Sequence, residues 1–549
     1  MNSYYDEQHM VRHFRQIILW PLQLVPLPPG EPRSHWQIFD NLSAGTPWKR
    51  LDNEIDGESD ANQDIRYKEF TVFHPYVRRF LYGENYGPWT HGPQDLPGEA
   101  AINIFCRKDV SALRVVPRVG LPSFIFRVDK INLIFFDDTS LVFLRCEISG
   151  DNLPLTTVHE LLYRFGRAYP TGWNEDGLGI HNVSTAEWLG QAGEILATSD
   201  FSDRHKFLRS TKNNRVPATA AHWTFLLEPL VFSVSEKVGQ LRFHLVENHH
   251  MPKIAYLAID NPRSLTREQW LRLGMADSLH PDEPLPKHDP EVINFESRFC
   301  FDRYWSDTEK GPNCRFLCHG RTMFLVGDAR ETYFVDQQRG MLAQFRHHYF
   351  TVFLIAHLYR ASLLNFSEQL VDAIHDLDVR NSQSNRIFRQ RIHMCFEAFL
   401  RFTHRYWFHE VSERNDVQSL FLLFGKNLNN DSLYMELKGE LRDMSQYLDS
   451  DLQRRQSKTV TQLTVVTAFT LIGTLTTGFL GMNLIDEAHS PLIVRWLYFI
   501  VTALASAAVL MFALVQSQRL WDLMEIVSDV QKPWFLRLRL IFNLDRNKN

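Results

Sequence analysis

Two long uncharged segments near the C-terminus constrain this chain more than any other feature of its sequence. From residue 459 to residue 485 there is no Asp, Glu, Lys, Arg or His, and the run 496–515 is equally free of charge. Each segment reaches the roughly 20 residues that a helix needs to cross about 30 Å of hydrocarbon. We therefore predict two transmembrane helices, at 459–483 and 496–515, joined by an extracytoplasmic loop at 484–495.

The positions of the basic residues predict the orientation of this hairpin, because Lys and Arg near a span tend to stay on the cytoplasmic side. Basic residues precede the first span and follow the second: Arg454, Arg455, Lys458, Arg519, Lys532, Arg537 and Arg539. The loop carries Asp486 and Glu487, with no Lys or Arg before Arg495. Both termini are thus expected in the cytoplasm, and residues 516–549 form a cytoplasmic basic tail.

The composition of the rest of the chain is that of a soluble globular protein. Of the chain's residues, 44% are hydrophobic and 22% are charged. The length of 549 residues is sufficient for two or three folded units beside the hairpin. A net charge of −5 without a long basic stripe gives no reason to expect nucleic acid as a partner. The six cysteines all precede the spans, so reduced thiols are expected. Residues 1–25 have the pattern of neither a signal peptide nor a transit peptide.

Residues 1–345 mix strand and helix patterns, which predicts a cytoplasmic α/β domain. The β-branched and aromatic runs 131–136 and 140–148 flank a turn and indicate a hairpin. Residues 156–165 have helical spacing, and 223–234 and 315–326 are further strand candidates.

Residues 346–458 are predicted to be helical, with apolar residues every three or four positions in 349–377 and 384–412. The segment 352–364 contains His357 and Arg360 and is too short for a span, so a buried core helix is favoured. The last helix is predicted to begin near Asp431. Its apolar residues form a narrow seam suited to self-association: Leu433, Leu437, Leu441, Met444, Leu448 and Leu452. Without proline before Leu480, this stalk helix would continue into the first span over roughly 50 residues.

Two helices cannot enclose a water-filled pore, so any permeation path needs several copies of the chain around an axis. One face of the first span, within about 80° on a helical wheel, is a candidate pore lining: Val460, Leu463, Thr467, Leu471, Thr474, Gly478 and Gly481. Ordinary helix packing is the alternative interpretation of this face. Thr hydroxyls can bond to their own preceding turn, and small residues favour close helix contact.

The outer end of the first span carries Gly481-Met482-Asn483, followed by a short acidic loop and a final span. In this arrangement the chain resembles the CorA family of divalent-cation transporters, whose signature is Gly-Met-Asn at the same place. Thr474 and Gly478 also match the usual family pattern. The stretch 477–481 is similar to the zinc-transporting branch, ZntB, whereas Met482 follows the magnesium type.

This resemblance implies a funnel-shaped homopentamer in which a cytoplasmic α/β domain and a stalk continuous with the first span feed a membrane pore. The transported ion would be Mg²⁺, with Zn²⁺, Co²⁺ and Ni²⁺ as further candidates, and no enzymatic cofactor is implied. A ring of Asn483 carboxamides would bind the hydrated ion, because Mg²⁺ loses its inner waters reluctantly. We expect a multi-pass protein of the plasma membrane, as in the inner membrane of a bacterium.

Two further pairs of residues are assigned to the ion pathway. Asp486 and Glu487 would attract cations to the mouth by electrostatic focusing, or are solvated loop charges. Leu463 and Leu471 could form a hydrophobic constriction that closes by dewetting.

Two further classes of function stay open, a membrane-tethered enzyme and a membrane adaptor. The first 340 residues show no recognisable catalytic constellation, so an enzyme is not expected. The group Cys300, Cys314, Cys318 and His319 suggests a zinc site. However, Cys314 and Cys318 lie in a strand-like stretch, where alternate side chains point to opposite faces, and the CxxC spacing of common zinc sites is absent. Buried thiols are favoured there, and no resident metal site is assigned.

Overall fold

The structure of the protein is a computed structural model. It describes residues 9–27, 33–51, 67, 71–83, 102–136, 139–247, 249–276, 285–286, 288–306, 308, 312–375, 382–481 and 491–528. The chain divides into two compact units, Met1–Arg442 and Asp443–Asn549. The first unit therefore contains helices beyond residue 345 together with the sheet, while the membrane boundaries proposed from the sequence stay predictions.

The described part of the first unit contains one sheet of 14 strands. These are β1 (Met10–Leu24), β2 (Trp48–Arg50), β3 (Ile102–Arg107), β4 (Val110–Val116), β5 (Phe124–Phe136), β6 (Leu141–Pro154), β7 (Thr185–Gly190), β8 (Ile195–Thr198), β9 (Val231–Phe232), β10 (Arg242–Leu245), β11 (Lys253–Ile259), β12 (Cys300–Phe301), β13 (Arg315–His319) and β14 (Thr322–Asp328). The main path runs β12-β13-β14-β11-β1-β6-β5-β4-β7-β8, with β10 also beside β1 and β9, and β3 beside β2 and β5.

Most neighbouring strands in this sheet are antiparallel, and the pairs β11–β14 and β9–β10 are parallel. The predicted hairpin is confirmed, because β5 and β6 pair in register from Phe136 opposite Leu141. The strand candidate at 315–326 is a hairpin of its own, β13 and β14, which turns at Gly320 with a φ of +53°. Such a left-handed φ costs glycine little.

Strand β1 lies in the middle of the sheet although it contains Pro21, which lacks the N–H that a central strand normally uses. The N–H of Leu19 donates to Pro252 O, 2.9 Å away, on the side of β11. Pro21 lies two residues further along and faces the same side, where the partner of β1 changes from β11 to β10. The proline therefore falls in a gap of the ladder, and the pairing with β6 continues through it.

The shorter helices of the first unit surround the sheet. They are α1 (His35–Ser43), α2 (Pro75–Tyr82), α3 (Leu155–Arg164), α4 (Arg204–Asn214), α5 (Ala221–Leu227), α6 (Arg267–Met275), α7 (Pro290–Ile293), α8 (Phe295–Phe299), α9 (Thr332–Val335) and α10 (Met341–Gln344), with a 3-10 turn at Pro262–Ser264. Helix α3 confirms the prediction for 156–165. The buried Lys253 side chain caps its C-terminal end, and its Nζ donates to Leu162 O and Phe165 O at 2.7 Å each.

The strand predicted at 223–234 is wrong over most of its length, because α5 occupies its first part and β9 its end. Trp223 is fully buried against the rings of Trp20 and Trp188, and its indole N–H donates to Arg167 O at 2.9 Å. Tertiary packing of this indole outweighs the strand propensity of the aromatic run. The helix ends before Pro229, since proline disfavours the helical conformation of the residue that precedes it.

Three longer helices follow in the described part of the first unit: α11 (Phe350–His375), α12 (Ser382–Arg405) and α13 (Asn415–Asn427). A π-helical turn, Phe345–Tyr349, joins α10 to α11. Helix α11 is the buried core helix predicted for 352–364, and the His357 side chain is enclosed in it. Its Arg360 side chain donates to Glu247 at 2.6 Å, and Asn365 donates to Thr139 O at 2.9 Å, which attaches the helix to the sheet region.

A buried carboxylate fixes the π-helical turn to the sheet. Glu147 of β6 has no exposed side-chain surface and accepts hydrogen bonds from Arg145 at 2.8 Å and Arg346 at 2.7 Å. Burial alone would raise the pKa of Glu147, but the two arginines outweigh it and lower the pKa to about 2. The carboxylate therefore stays charged, and it links β6 to the residues before α11.

The last two helices among the described residues are α14 (Asn430–Gly481) and α15 (Leu492–Ser528). Helix α14 begins one residue before the predicted start, and Asn430 donates to Ala356 O at 3.0 Å. The ring of Tyr434 stacks on Trp407, with centroids 4.6 Å apart. Leu437 and Leu441 of the predicted self-association seam are buried within the single chain, so the chain's own fold covers this part of the seam.

Candidate functional site

Six threonine hydroxyls near the uncharged end of α14 are satisfied by carbonyl groups of the same helix. The hydroxyls of Thr464, Thr467, Thr470, Thr474, Thr476 and Thr477 each donate to the carbonyl four residues earlier, at 2.7–2.9 Å. These bonds need no partner outside the helix. They allow a threonine-rich helix to stand in an apolar environment, where an unsatisfied hydroxyl would be costly.

The face predicted to line a pore is uncovered in the single chain. Val460, Leu463 and Leu471 are 62%, 67% and 47% exposed. The other members of that face in the described part of the chain, Thr467, Thr474, Gly478 and Gly481, are exposed as well. An added Cβ at Gly478 or Gly481 would meet no heavy atom within 4 Å. The described part of the chain therefore gives no packing reason for glycine at either position.

A different face of α14 is covered within the second unit. Thr476 is buried, and its hydroxyl lies 3.4 Å from the Ser506 hydroxyl of α15. Ala468, Ile472 and Leu480 share its four-residue spacing and are half-buried. At 100° per residue, the centre of this covered face lies about 160° from the centre of the predicted pore face. The sequence gives no signal for the contact between Thr476 and Ser506, because Thr476 is one of many threonines in the first predicted span and spacing does not show which of them meets the next helix.

Four predicted site residues cannot be placed. Helix α14 ends at Gly481, and Met482, Asn483, Asp486 and Glu487 lie outside the described residues. The predicted selectivity signature is thus located by its first residue alone, at the C-terminal end of the helix.

The region around these helices was compared with known proteins. Residues 434–516 match the family model of the CorA-like Mg²⁺ transporter protein. This match supports the CorA family and, in general terms, a membrane transporter of divalent cations. No curated protein and no solved structure matches the chain.

The apolar character of α14 and α15 accords with that match. Among the described residues, Leu492–Val509 is long and apolar enough to cross a membrane, and Val466–Gly481 is a shorter apolar stretch. The segment of α15 is not enclosed by the chain, unlike the core helix of a soluble protein. A helix that is apolar all round and unburied is typical of a membrane span.

The cysteine and histidine residues of the first unit do not assemble a metal site in the part that the structure covers. No group of three or more His, Cys, Asp or Glu side chains there could hold a metal ion. Cys314 and Cys318 are buried free thiols, as favoured from the sequence, and burial raises the pKa of both well above the usual range. Such thiols are poor metal ligands because the thiolate is the binding form.

Proposed function

We propose that this protein is a divalent-cation transporter that moves Mg²⁺ through a pore formed by several copies of α14. The observation that carries the proposal is the geometry of α14 within the region that matches the CorA-like model. The face predicted to line a pore is left uncovered, and α15 covers a face on roughly the opposite side of the helix. This arrangement leaves room for α14 helices of neighbouring copies around a shared axis.

The proposed assembly is a funnel-shaped homopentamer, as the resemblance to the CorA family implies. The exposed glycines support close contact between copies, because small residues let helix backbones approach in membranes. In this proposal α14 is a stalk that continues into the first span. The hairpin crosses the plasma membrane, with both termini in the cytoplasm.

Selection of the ion is proposed for the outer end of the pore, at Gly481, Met482 and Asn483. Mg²⁺ dehydrates reluctantly, so a filter that grips the hydrated ion has a smaller desolvation cost than one that strips it. One neutral Asn483 carboxamide from each copy would bond to the ion's waters without holding the ion too tightly to release it. Asp486 and Glu487 would concentrate cations at this entrance.

Further along the pathway, Leu463 and Leu471 are proposed to form an apolar constriction. Rings of leucine side chains exclude water from a narrow pore and thereby close it to ions. Movement through the open pore would follow the electrochemical gradient. An inside-negative potential supplies about 2.3 kcal/mol per charge per 100 mV, and twice that for a divalent cation.

The decisive experiment is ion uptake by vesicles that contain the purified protein. The wild-type chain is expected to carry Mg²⁺, and Asn483→Ala is expected to abolish selective uptake. Asn214→Ala, at the exposed C-terminal end of α4, is the matched control and should leave uptake unchanged. Equal flux through the wild type and Asn483→Ala would refute the filter assignment, and absence of flux from the wild type would refute transport.

The identity of the cargo has its own measurement. Mg²⁺ and Zn²⁺ are offered in competition, with and without a pH gradient, and isotope uptake is followed for each. Preferential Mg²⁺ uptake supports the proposal. Preferential Zn²⁺ uptake would instead assign the chain to zinc transport by the same pore, as the ZntB-like stretch 477–481 allows.

A further inference from the structure

The first unit contains a cavity of about 900 Å³, away from the residues proposed to carry ions. Four pieces of chain line it: residues 71–78 at the start of α2, residues 338–339, the helical segment 343–348, and residues 413–414 just before α13. Its volume is in the range of roughly 300–1,000 Å³ that small-molecule sites occupy. We name it the basic cavity.

The charged side chains that line the basic cavity are mostly those of arginine. The lining includes His74, Arg78, Arg339, His347, His348 and Arg414. Glu413 is the one carboxylate among the described lining residues, and its side chain is exposed. Guanidinium groups in a concave site raise the local concentration of anions and oppose binding of a metal cation. The cavity is therefore suited to an anion.

One of these arginines is held in place before any ligand arrives. Arg414 donates to Asp416 at 2.6 Å and to Gln344 at 3.1 Å. The buried Tyr349 hydroxyl donates to Asp416 at 3.2 Å. Burial raises the pKa of Asp416, but the hydrogen bond and charge of Arg414 outweigh it and lower the pKa below its usual value. A positioned guanidinium loses less entropy on binding than a free one.

The two adjacent histidines reach the cavity from the π-helical turn. Phe345–Tyr349 has π-helical hydrogen bonding, which is rare and frequently found at functional sites. Arg346 in this turn is bound to the buried Glu147 at 2.7 Å, so the backbone of the turn is anchored to the sheet. His347 and His348 follow directly and line the cavity.

The same cavity also has an apolar part, which an inorganic anion would not need. Val72, Phe73, Pro75 and Ala343 contribute to the lining, and Phe73 is buried with its ring beside His348. Arginine forks match the oxygens of phosphate, and apolar surface accommodates an organic group. We propose that the basic cavity binds an organic phosphate of nucleotide size.

Calorimetric titration of the full-length protein in detergent, with metal removed by EDTA, tests this site. ATP is the probe, and adenosine and pyrophosphate are the comparison ligands. ATP is expected to bind with one site per chain, adenosine at least about tenfold more weakly, and pyrophosphate in competition with ATP. Because metal is absent and no flux is measured, the result is independent of the proposed transport function.

Variants connect the binding to the cavity. Arg339→Gln, at an exposed lining residue, is expected to weaken ATP binding by about tenfold or more, the loss typical of a charge-assisted hydrogen bond. Arg118→Gln, at an exposed turn, is the matched control and should bind like the wild type. Arg78→Gln is a second lining variant, and thermal melting checks that each variant is folded.

Each outcome decides part of the proposal. Saturable ATP binding that weakens in the lining variants and not in Arg118→Gln supports it. Pyrophosphate binding without ATP binding retains the phosphate site and overturns the organic ligand. Two results overturn the proposal. One is the absence of saturable binding of both ATP and pyrophosphate at ligand concentrations up to about 1 mM. The other is equal ATP binding by the wild type and all folded variants.

Discussion

The two compact units treat apolar side chains in opposite ways. In the first unit the largest of them, such as Trp20, Trp188 and Trp223, are buried in the hydrophobic core. In the second unit Phe469, Met511 and Phe512 are about 70% exposed. The fold of one chain therefore buries the three tryptophans, and it leaves the three side chains of the second unit exposed. This exposure agrees with the lipid environment and the neighbouring copies proposed for the terminal helices, since a soluble monomer rarely exposes so much apolar surface.

The two units also differ in their content of buried charged groups. The first unit encloses paired charges such as Glu147 with Arg145 and Arg346. The apolar stretch Val466–Gly481 has no charged residue at all, and its hydroxyls bond to their own helix. Buried charge pairs tolerate removal of one partner poorly. The first unit is thus expected to be sensitive to single charge changes, and the apolar stretch to changes in side-chain size and polarity.

The sharpest test of this comparison separates the two units. A chain truncated after Lys458 lacks the proposed spans and is expected to lose all ion uptake in vesicles. Its first unit should keep its fold, because the core lies within Met1–Arg442. Circular dichroism and thermal melting measure the fold, and isotope flux measures transport. An unfolded truncated chain would show that the first unit depends on the terminal helices.

The next largest effect is expected from Glu147→Gln in the first unit. The substitution leaves Arg145 and Arg346 without their buried carboxylate, which typically costs about 3–5 kcal/mol of unfolding free energy. Urea unfolding of the chain truncated after Lys458 measures it. A loss below about 1 kcal/mol would mean that the two arginines find other partners or water.

The same carboxylate predicts an acid dependence of stability. The pKa of Glu147 is lowered in the folded state, so its contribution is complete above the pKa of the unfolded chain and is lost as the pH falls through the folded value. The loss should extend from about pH 4.5 to about pH 2. Unfolding of Glu147→Gln over this range should depend less on pH than that of the wild type. Identical pH profiles would contradict the assignment.

In the second unit, Leu471→Ser is expected to raise ion leak severalfold if Leu471 narrows the pore, because a hydroxyl favours wetting of an apolar constriction. Val466→Ser is the matched control. Both side chains are exposed in the single chain, but Val466 lies about 140° away around the helix. Flux through vesicles without a stimulus measures the leak. Equal leak in both variants would argue for ordinary helix packing on this face.

The smallest effect is expected for an exposed ion pair in the first unit. Arg401 and Glu397 are 2.6 Å apart on α12, with both side chains more than half exposed. Glu397→Gln should change the unfolding free energy by less than about 1 kcal/mol, because water and salt screen such pairs. The variant serves as the control for Glu147→Gln in the same urea experiment. A cost similar to that of Glu147→Gln would remove the distinction between buried and exposed charge.

Periodic features of the sequence predicted the parts of this fold that depend on local patterns. The hairpin of β5 and β6, helix α3 and the buried α11 follow from apolar spacing and turn residues. The predicted pore face follows from helical periodicity, and its exposure in the structure agrees with a surface left for partners, although that role stays a prediction.

Features that depend on tertiary context could not be predicted in the same way. Proline is unfavourable in a central strand, and only the change of partner beside β1 shows why Pro21 is tolerated there. The aromatic run after Trp223 looked like a strand because indole packing is invisible in a single sequence. The basic cavity joins residues from 71 to 414, so no spacing rule could bring Arg78, Arg339 and Arg414 together.

The π-helical turn at Phe345–Tyr349 also determines which side chains of α11 face the sheet region. A π-helical turn accommodates one more residue than an α-helical turn, and each residue rotates a helix by about 100°. Deleting one residue there would rotate α11 by that angle and swing Arg360 away from Glu247 and Asn365 away from Thr139. The single additional residue thus determines how a 26-residue helix is rotated about its axis in the core.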